Sequence, residues 1–256
     1  MVGDYRLLKI LESLRTAVMY DGRVTLGETS VILRTIRPFV LKGEPGACEL
    51  DALLQRVRQD GVVTDEESVQ IARLMDKLLS GRPRLADYVR EIPDFPKPGI
   101  LFRDVTGILE SGEGFNLALS EIAEALEGVT FDLVAAPESR GFIFGAAIAA
   151  RFGKAFVPIR KPGKLPRRTI SEDYELEYGK ATLHMHADAV IRGEKAVIVD
   201  DLLATGGTAK AAAKLVERLG GTVVKMIFPI ELEGFGARSK LLRNYDVASL
   251  LKYPGK

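Results

Sequence analysis

The chain has 256 residues, of which 46% are hydrophobic and 28% charged, a globular composition long enough for two domains of unequal size. Its formal net charge of +1 gives no electrostatic reason to expect a nucleic acid or a membrane surface as a partner. Because Cys48 is the single cysteine, no disulfide can form within the chain, and since neither a signal-peptide pattern nor an apolar run of about 18 residues occurs, we expect a cytoplasmic protein.

Four amphipathic helices are predicted in the first part of the chain. Their apolar residues recur at steps of three and four, and the four sets begin at Leu7, Val31, Leu50 and Ile71. Because this spacing places the apolar side chains on one helical face, each set indicates a helix with one buried side. We therefore predict an all-α bundle over residues 1–81, whose role the sequence does not specify.

Two turns within this bundle repeat each other at an offset of 39 residues. Residues 21–28 and 60–67 each contain an Asp-Gly turn and then a Thr with a Glu three residues later. This spacing predicts a capping box, in which the Thr oxygen accepts from an early helix N–H and the Glu reaches back. The two helix–turn–helix repeats resemble the acidic-turn bundles of the TerB type. Calcium is not expected, because Arg23 and Val62 stand where an oxygen ligand is needed.

A second domain is predicted over residues 82–256, after a Ser-Gly-Arg-Pro boundary at 80–83, because Gly can end a helix and Pro cannot continue one. Beyond this boundary, short β-rich runs alternate with helical stretches. The predicted strands are 132–136, 156–159, 196–199, 223–229 and 247–250, and the predicted helices are 116–126, 142–151 and 210–219. Such alternation predicts an α/β domain with a mostly parallel sheet and helices on both faces.

The strand predicted at 196–199 leads into the sharpest signal of the chain. Asp200 and Asp201 follow it, and then come the small or hydroxyl-bearing residues Ala204, Thr205, Gly206, Gly207 and Thr208 at the start of a helix. Small residues let backbone N–H groups approach a phosphate, and the helix N-terminus adds a favourable dipole. The carboxylates lie at the carboxyl end of a strand, where open α/β sheets bind ligands, and they can accept from sugar hydroxyls. Together these groups indicate a site for a ribose 5-phosphate.

Five segments carry a resemblance to a known family. VIVDDLLATGGTA at 197–209 resembles the phosphoribosyl-pyrophosphate motif of the type I phosphoribosyltransferases, and segments at 92–109, 138–145, 159–166 and 176–181 resemble the adenine-specific branch. The resemblance implies the type I fold, a mostly parallel sheet with helices on both faces and a small hood. It also implies the formation of AMP and pyrophosphate from adenine and phosphoribosyl pyrophosphate, with Mg²⁺ as cofactor.

The resemblance implies roles for the residues of the donor site. Asp200 and Asp201 would hold the ribose hydroxyls, and Ala204, Thr205, Gly206, Gly207 and Thr208 the 5-phosphate. Magnesium would be held largely through substrate and water, with Asp200 and Asp201 as its candidate protein ligands. Main-chain groups around Ser139, together with Arg140, would bind the pyrophosphate. Pro137 departs from the family pattern and removes one N–H donor there, which puts in doubt which amides contact pyrophosphate.

The remaining implied roles concern a lid and a base pocket. Residues 160–180 are predicted to form a long polar loop that closes over the donor, with Lys161 and Lys164 neutralising pyrophosphate charge. Glu177 would take up or relay the proton that adenine loses, and Tyr178 would pack near it. The base pocket would consist of Leu101, Phe102 and Arg103, with Phe102 stacking on the purine. His184 and His186 are expected to be ordinary strand residues, since two histidines alone are weak evidence for a metal.

Two alternatives remain open from the sequence. The enzyme could use another base, such as guanine, xanthine or orotate, because base specificity depends on few contacts. The chain could instead be a non-catalytic regulator that senses phosphoribosyl pyrophosphate, but residues 1–85 hold 13 basic and 12 acidic side chains and so lack the basic surface of a DNA-binding domain. The family resemblance also implies a homodimer.

Overall fold

The computed structural model describes residues 5–18, 23–80, 83–175 and 180–255. The chain divides into two compact units, Met1–Arg84 and Leu85–Lys256. None of the helices in these described ranges is both long enough and apolar enough to cross a bilayer.

The first unit consists of four α-helices, as the periodicity predicts. They are α1 (Tyr5–Val18), α2 (Leu26–Val40), α3 (Pro45–Val57) and α4 (Asp65–Ser80). Each helix contacts two of the others: α1 and α3 both pack against α2 and α4. The fully buried centre is formed by the predicted apolar faces, among them Leu11, Ile32, Ile36, Leu54 and Ile71. Burial of these faces stabilises the helices, since isolated helices of this length are marginal in water.

Both predicted capping boxes are confirmed. At the start of α2, Thr25 Oγ1 accepts from the Glu28 N–H at 3.3 Å, and Glu28 Oε2 accepts from the Thr25 N–H at 2.7 Å. At the start of α4, Thr64 Oγ1 accepts from the Glu67 N–H at 3.2 Å, and Glu67 Oε2 accepts from the Thr64 N–H at 2.9 Å. Each box satisfies N–H groups that have no partner inside the helix.

The residue after each capping box is a buried hydroxyl that ties the two repeats together. Thr29 and Ser68 are both buried, and they stand 39 residues apart, as the boxes do. Ser68 Oγ on α4 accepts from the Val24 N–H of the first turn at 3.1 Å. Thr29 Oγ1 on α2 accepts from Arg58 Nη1, next to the second turn, at 3.1 Å. Each turn is therefore fixed by a helix of the other repeat.

Replacement of Thr25 by alanine should lower the free energy of unfolding by about 1 kcal/mol, because the Glu28 N–H loses its acceptor and the Glu28 carboxylate loses the Thr25 hydroxyl. Thr64→Ala should have a similar effect, since its contacts are the same. Urea unfolding of the full chain, followed by circular dichroism, measures both. Thr35→Ala is the control: Thr35 lies inside α2 and its hydroxyl bonds the Val31 carbonyl of the same helix, so its loss should cost less. An unchanged stability of Thr25→Ala would contradict the capping role.

The second unit is built around a parallel sheet. Its strands are β3 (Leu133–Pro137), β4 (Ala155–Ile159), β7 (Lys195–Val199), β8 (Leu202–Leu203), β9 (Thr222–Leu232) and β10 (Val247–Tyr253). The strand order is β10-β9-β7-β3-β4, all parallel, and β8 pairs with the end of β9. The five strands predicted from sequence are all present: three agree within one residue at each end, and β9 and β10 each end three residues later than predicted. This sheet confirms the predicted parallel α/β architecture.

Helices cover both faces of this sheet, as predicted. They are α5 (Thr106–Glu110), α6 (Gly112–Ala125), α7 (Arg140–Phe152), α8 (Gly207–Arg218) and the short α9 (Ala237–Lys240). Alternate residues of β3 face opposite sides: Leu133 and Ala135 belong to the core that includes α8, whereas Val134 and Ala136 approach Gly145 of α7. A methyl group built on Gly145 would lie 2.7 Å from Ala136 Cβ, so α7 packs closely on the sheet.

Two smaller antiparallel sheets complete the unit. Strands β1 (Arg90–Pro93) and β2 (Leu101–Asp104) form the predicted hood, and β5 (Thr169–Glu175) pairs with β6 (Lys180–His186). The prediction of a long polar loop over residues 160–180 is therefore wrong for β5. Its side chains alternate between exposed and half-buried, with Ile170, Glu172 and Tyr174 on the less exposed side. The central inward residue is charged, which hid the period-2 pattern.

Candidate active site

The site is formed where neighbouring parallel strands end. Strands β3 and β7 pair with each other, so the residues that follow them meet at one edge of the sheet. A cavity of about 600 Å³ lies there. Its walls include most of the residues predicted for the donor: Ser139, Arg140, Lys161, Asp200, Asp201, Ala204, Thr205, Gly206, Gly207 and Thr208. A single cavity thus combines basic, acidic and glycine-rich elements from three separate segments.

The glycine-rich loop owes its shape to two glycines. Gly206 has φ of +86°, a left-handed conformation that residues with a Cβ rarely adopt, and it directly precedes α8. Gly207 begins the helix, and a methyl group built on it would lie 2.7 Å from the carbonyl oxygen of Glu175. The first N–H groups of a helix have no acceptor within it, and they point with the positive end of the helix dipole toward the cavity. The loop therefore offers a site for an anion.

The two aspartates are buried beside this loop. Asp200 and Asp201 are 9% and 6% exposed, and the Asp201 N–H donates to Asp200 Oδ1 at 2.9 Å. Burial, and then the neighbouring charge of Asp201, raise the pKa of Asp200 well above its ordinary value. Gly141 of α7 packs against this carboxyl, because a methyl group there would lie 2.7 Å from Asp200 Oδ1. The two carboxyl groups are thus held close together, which makes the ionised form of Asp200 less favourable.

Arg140 connects the two halves of the site. It begins α7, and its Nε lies 2.6 Å from Asp201 Oδ2. The contact is an ion pair rather than a hydrogen bond, since Oδ2 is buried without a donor in hydrogen-bonding geometry. The residue predicted to bind pyrophosphate therefore contacts a carboxylate in this structure.

In the segment before Arg140, Pro137 and the residue after it offer no N–H group to an anion. Pro137 ends β3 opposite Ile159, and the next N–H, that of Glu138, donates to the Ile159 carbonyl at 2.9 Å. This N–H is therefore occupied by the sheet and, like the N–H that Pro137 lacks, is not offered to an anion. The peptide bond between Glu138 and Ser139 is cis.

Two basic residues predicted for the lid lie in different places. Lys161 lines the cavity, whereas Lys164 is exposed, and its carbonyl accepts from Arg160 Nη1 at 3.1 Å. Arg160 Nε also binds Glu138 Oε2 at 2.6 Å. Burial raises the pKa of Glu138, but the hydrogen bonds from Arg160 and from the Lys161 amide outweigh it and hold the pKa below its ordinary value. Glu138 is therefore an ionised residue in the wall of the cavity.

The predicted base-pocket residues form the hood strand β2 and do not line this cavity. The Phe102 ring is half-buried and meets the Phe95 ring edge-on, with centroids 5.2 Å apart. Arg103 forms an ion pair with Glu91 and lies over the Tyr253 ring, 4.4 Å from its centroid. Leu101 is 41% exposed. The structure thus ties the hood to β10 through Arg103, while Leu101 and Phe102 keep exposed surface.

Glu177 and Tyr178, predicted to act at the end of the lid, lie outside the described residues. His184 is tied to the hairpin, with Nδ1 at 3.0 Å from Thr169 Oγ1, and His186 is buried next to it on the strand. In the described ranges, no group of three or more His, Cys, Asp or Glu side chains could hold a metal ion.

Sequence reasoning missed several apolar walls of the cavity: Tyr174, Leu183, Leu202, Phe228 and Phe235. Phe235 follows the carboxyl end of β9, so its position after a parallel strand was an available signal. Its segment is fixed by a bidentate pair in which Arg238 Nε and Nη2 bind Glu231, at 2.9 and 2.7 Å. Tyr174 comes from β5, which the sequence presented as a loop.

Comparisons with known proteins agree with this geometry. The phosphoribosyl transferase domain model matches residues 108–250. Over 173 residues, the chain is 53% identical to the adenine phosphoribosyltransferase of Lachnoclostridium phytofermentans, covering 68% of this chain and 99% of the relative. The crystal structure of the Thermoanaerobacter pseudethanolicus enzyme of that name matches with a TM-score of 0.64 at 56% identity, covering 66% of this chain and 98% of that one.

A second solved structure that matches this chain contains two bound ligands. It is the adenine phosphoribosyltransferase of Saccharomyces cerevisiae, complexed with an imino-altritol bisphosphate and adenine, with a TM-score of 0.61 and 38% identity. The match covers 65% of this chain and 96% of that one. That protein thus holds a sugar-like bisphosphate together with a purine base.

Proposed function

Since this chain belongs to the adenine phosphoribosyltransferase family, it forms AMP and pyrophosphate from adenine and phosphoribosyl pyrophosphate, and we propose how its residues do so. One observation supports the assignment of roles above all others. A buried pair of aspartates and a glycine-rich helix N-terminus share one cavity with Arg140 and Lys161. The cavity therefore offers acceptors for ribose hydroxyls together with donors for phosphates, which supports this assignment.

The catalytic domain in this proposal is residues 82–256. The relatives match about two thirds of this chain but nearly their whole own length, which supports the second unit as the counterpart of a whole enzyme. Residues 1–81 would then be an added bundle, and the resemblance of that bundle to the TerB type stays a prediction. By the same family resemblance, we expect the catalytic domains to pair as a homodimer.

The donor is held at two ends. The backbone N–H groups of Ala204, Thr205, Gly206, Gly207 and Thr208 bind the 5-phosphate, helped by the dipole of α8 and the Thr hydroxyls. Asp200 and Asp201 accept from the ribose hydroxyls. These contacts orient the anomeric carbon between the base and the pyrophosphate, which supplies the entropic part of catalysis.

The acidic pair also fits a magnesium ion. Asp201 Oδ2 is buried, its contact with Arg140 is an ion pair, and carboxylate oxygens are ligands that Mg²⁺ prefers. Asp200 and Asp201 would hold the ion together with substrate oxygens and water. When bound, it would neutralise charge on the pyrophosphate.

The leaving group is stabilised by the basic side of the cavity. As the bond between the anomeric carbon and pyrophosphate breaks, the leaving oxygens gain negative charge. Arg140, the Ser139 amide and Lys161 face these oxygens, and Lys164 approaches from the exposed segment. Preorganised donors in a partly buried site contribute most where the charge develops.

The base attacks from the side opposite to pyrophosphate. Adenine N9 forms the new bond to the anomeric carbon, and the ring proton passes to Glu177, which Tyr178 would pack against. Phe102 stacks on the purine, and backbone groups of Leu101 and Arg103 read its edge. Phe235 and Leu202 add an apolar wall next to Asp201, which favours a flat base over water.

Purified full-length protein, assayed with phosphoribosyl pyrophosphate and Mg²⁺ against five bases, tests base specificity. We expect AMP from adenine and no nucleotide from guanine, hypoxanthine, xanthine or orotate. A different nucleotide would overturn the base pocket but keep the donor site. Bound donor without any product would favour a regulator that senses the donor.

A further inference from the structure

The hairpin of β5 and β6 is joined to α8 by one half-buried carboxylate. Glu172 Oε1 lies 2.6 Å from Lys214 Nζ, and Oε2 lies 3.3 Å from Arg218 Nη1. Arg218 also donates to the backbone carbonyl of Ser171. The Glu172 side chain is only 16% exposed, whereas its neighbour Asp173 points to the exposed side and accepts from Thr182 of β6. Two cations on successive turns of one helix thus converge on a single strand residue.

Strand β5 and helix α8 run in opposite directions, and the segments that lie side by side have nearly the same length. From Glu172 to Glu175 the strand advances about 10 Å, since each residue adds about 3.3 Å. From Lys214 back to Gly207 the helix advances about 10.5 Å, since each residue adds 1.5 Å. Fixing Glu172 against Lys214 therefore brings the end of β5 level with the start of α8.

The contacts at that far end are tight. A methyl group built on Gly207 would lie 2.7 Å from the Glu175 carbonyl oxygen and 3.1 Å from Tyr174 Cδ2. Tyr174 also lines the cavity. A shift of the strand by a fraction of one residue would either collide with the glycine-rich loop or withdraw Tyr174 from it.

We propose that Glu172 is a positioning residue for donor binding, because its ion pairs with Lys214 and Arg218 set the register of the hairpin along α8. In that register Tyr174 and the Glu175 carbonyl lie against Gly207, where the 5-phosphate binds. The inference rests on the proposed phosphate role of the glycine-rich loop. Glu172 itself lies outside the cavity and acts only through the strand that carries it.

Glu172→Gln in the full-length protein is the test, because glutamine keeps the shape and removes the charge. We expect the KM for phosphoribosyl pyrophosphate to rise roughly fivefold, a size typical of a partly exposed ion pair. Hydrogen exchange of residues 169–175 should become faster. Asp173→Asn is the matched control on the same strand, and both its KM and its exchange should match the wild type. An unchanged KM in Glu172→Gln, with normal folding, would overturn the proposal.

Lys214→Met distinguishes an effect on the register of the hairpin from a general loss of folding stability. It keeps the aliphatic stem, so it should raise the same KM, and the double variant Glu172→Gln/Lys214→Met should be no worse than the more affected single variant. Additive effects would overturn the proposal, as would a lower melting temperature without a change in KM. Thr205→Val in the glycine-rich loop distinguishes a failure of the register inference from a failure of the loop's proposed phosphate role. If it raises the KM and Glu172→Gln does not, only the register inference fails; if Thr205→Val has no effect, the loop assignment fails with it.

Discussion

Replacement of Asp200 by asparagine is expected to reduce AMP formation severely and, at neutral pH, to raise the melting temperature of the protein. The loss of turnover should reach about 100-fold or more, because the ribose and the cation lose a charged ligand. The gain in stability follows from burial. Desolvation and the charge of Asp201 raise the pKa of Asp200, so its ionised form is costly in the folded protein. Asparagine keeps the shape and can still accept from the Asp201 N–H.

The pH dependence of this gain has a definite sign. A group whose pKa is raised by folding favours the folded state most at low pH, where it is protonated in both states. This contribution is lost as the pH rises from the ordinary aspartate value through the raised pKa of Asp200. The melting temperature of Asp200→Asn relative to wild type should therefore increase over that interval and then level off. The difference is expected to be several degrees.

Differential scanning fluorimetry across pH, together with an AMP-formation assay, measures both effects. Asp246→Asn is the control, since Asp246 pairs with Lys225 on the surface at 2.7 Å and lies outside the cavity. It should leave turnover unchanged. A less stable Asp200→Asn at neutral pH, or one with normal turnover, would contradict the role of this carboxyl.

Replacement of Arg140 by glutamine is expected to lower kcat/KM roughly 100-fold, because the growing charge on pyrophosphate loses a partly buried cation. Arg140→Lys should recover only part of the loss, since an ammonium group lacks the planar fork that binds two oxygens. Initial-rate kinetics with phosphoribosyl pyrophosphate varied at saturating adenine give both constants.

Arg151→Gln provides the matched control for this change. Arg151 lies on the same helix α7, at its other end, and donates to Ser120 at 3.3 Å away from the cavity. Its kinetics should equal those of the wild type. Equal kinetics for Arg140→Gln as well would place the pyrophosphate elsewhere.

The central sheet could be predicted from sequence because its signals are local. Residues such as Val134 and Ala135 belong to short apolar runs between turns, and both faces of their strand are buried. The capping boxes at Thr25 and Thr64 were equally visible, because each hydrogen bond joins residues three positions apart. The glycine-rich loop could be located for the same reason, since a strand and a helix start flank it directly.

The features that could not be predicted from the sequence depend on contacts between residues distant in sequence. Strand β5 was predicted as a loop because its central inward residue, Glu172, is charged, and the Lys214 that pairs with it lies 42 residues later. The contact of Arg140 with Asp201 was missed for a similar reason, since it joins the ends of two neighbouring strands. Phe235 was overlooked because a single aromatic residue after a strand carries no motif. The roles of Glu177 and Tyr178 stay predictions.

The ion pair between Arg140 and Asp201 makes donor binding an exchange of counter-ions. The guanidinium already lies 2.6 Å from a carboxylate, so an incoming phosphate must either displace that contact or share the same positive charge with it. Affinity for the donor therefore gains only the difference between two ion pairs. The charge that appears on the leaving group during reaction has no such competitor, so Arg140 should contribute more to the turnover number than to ground-state affinity.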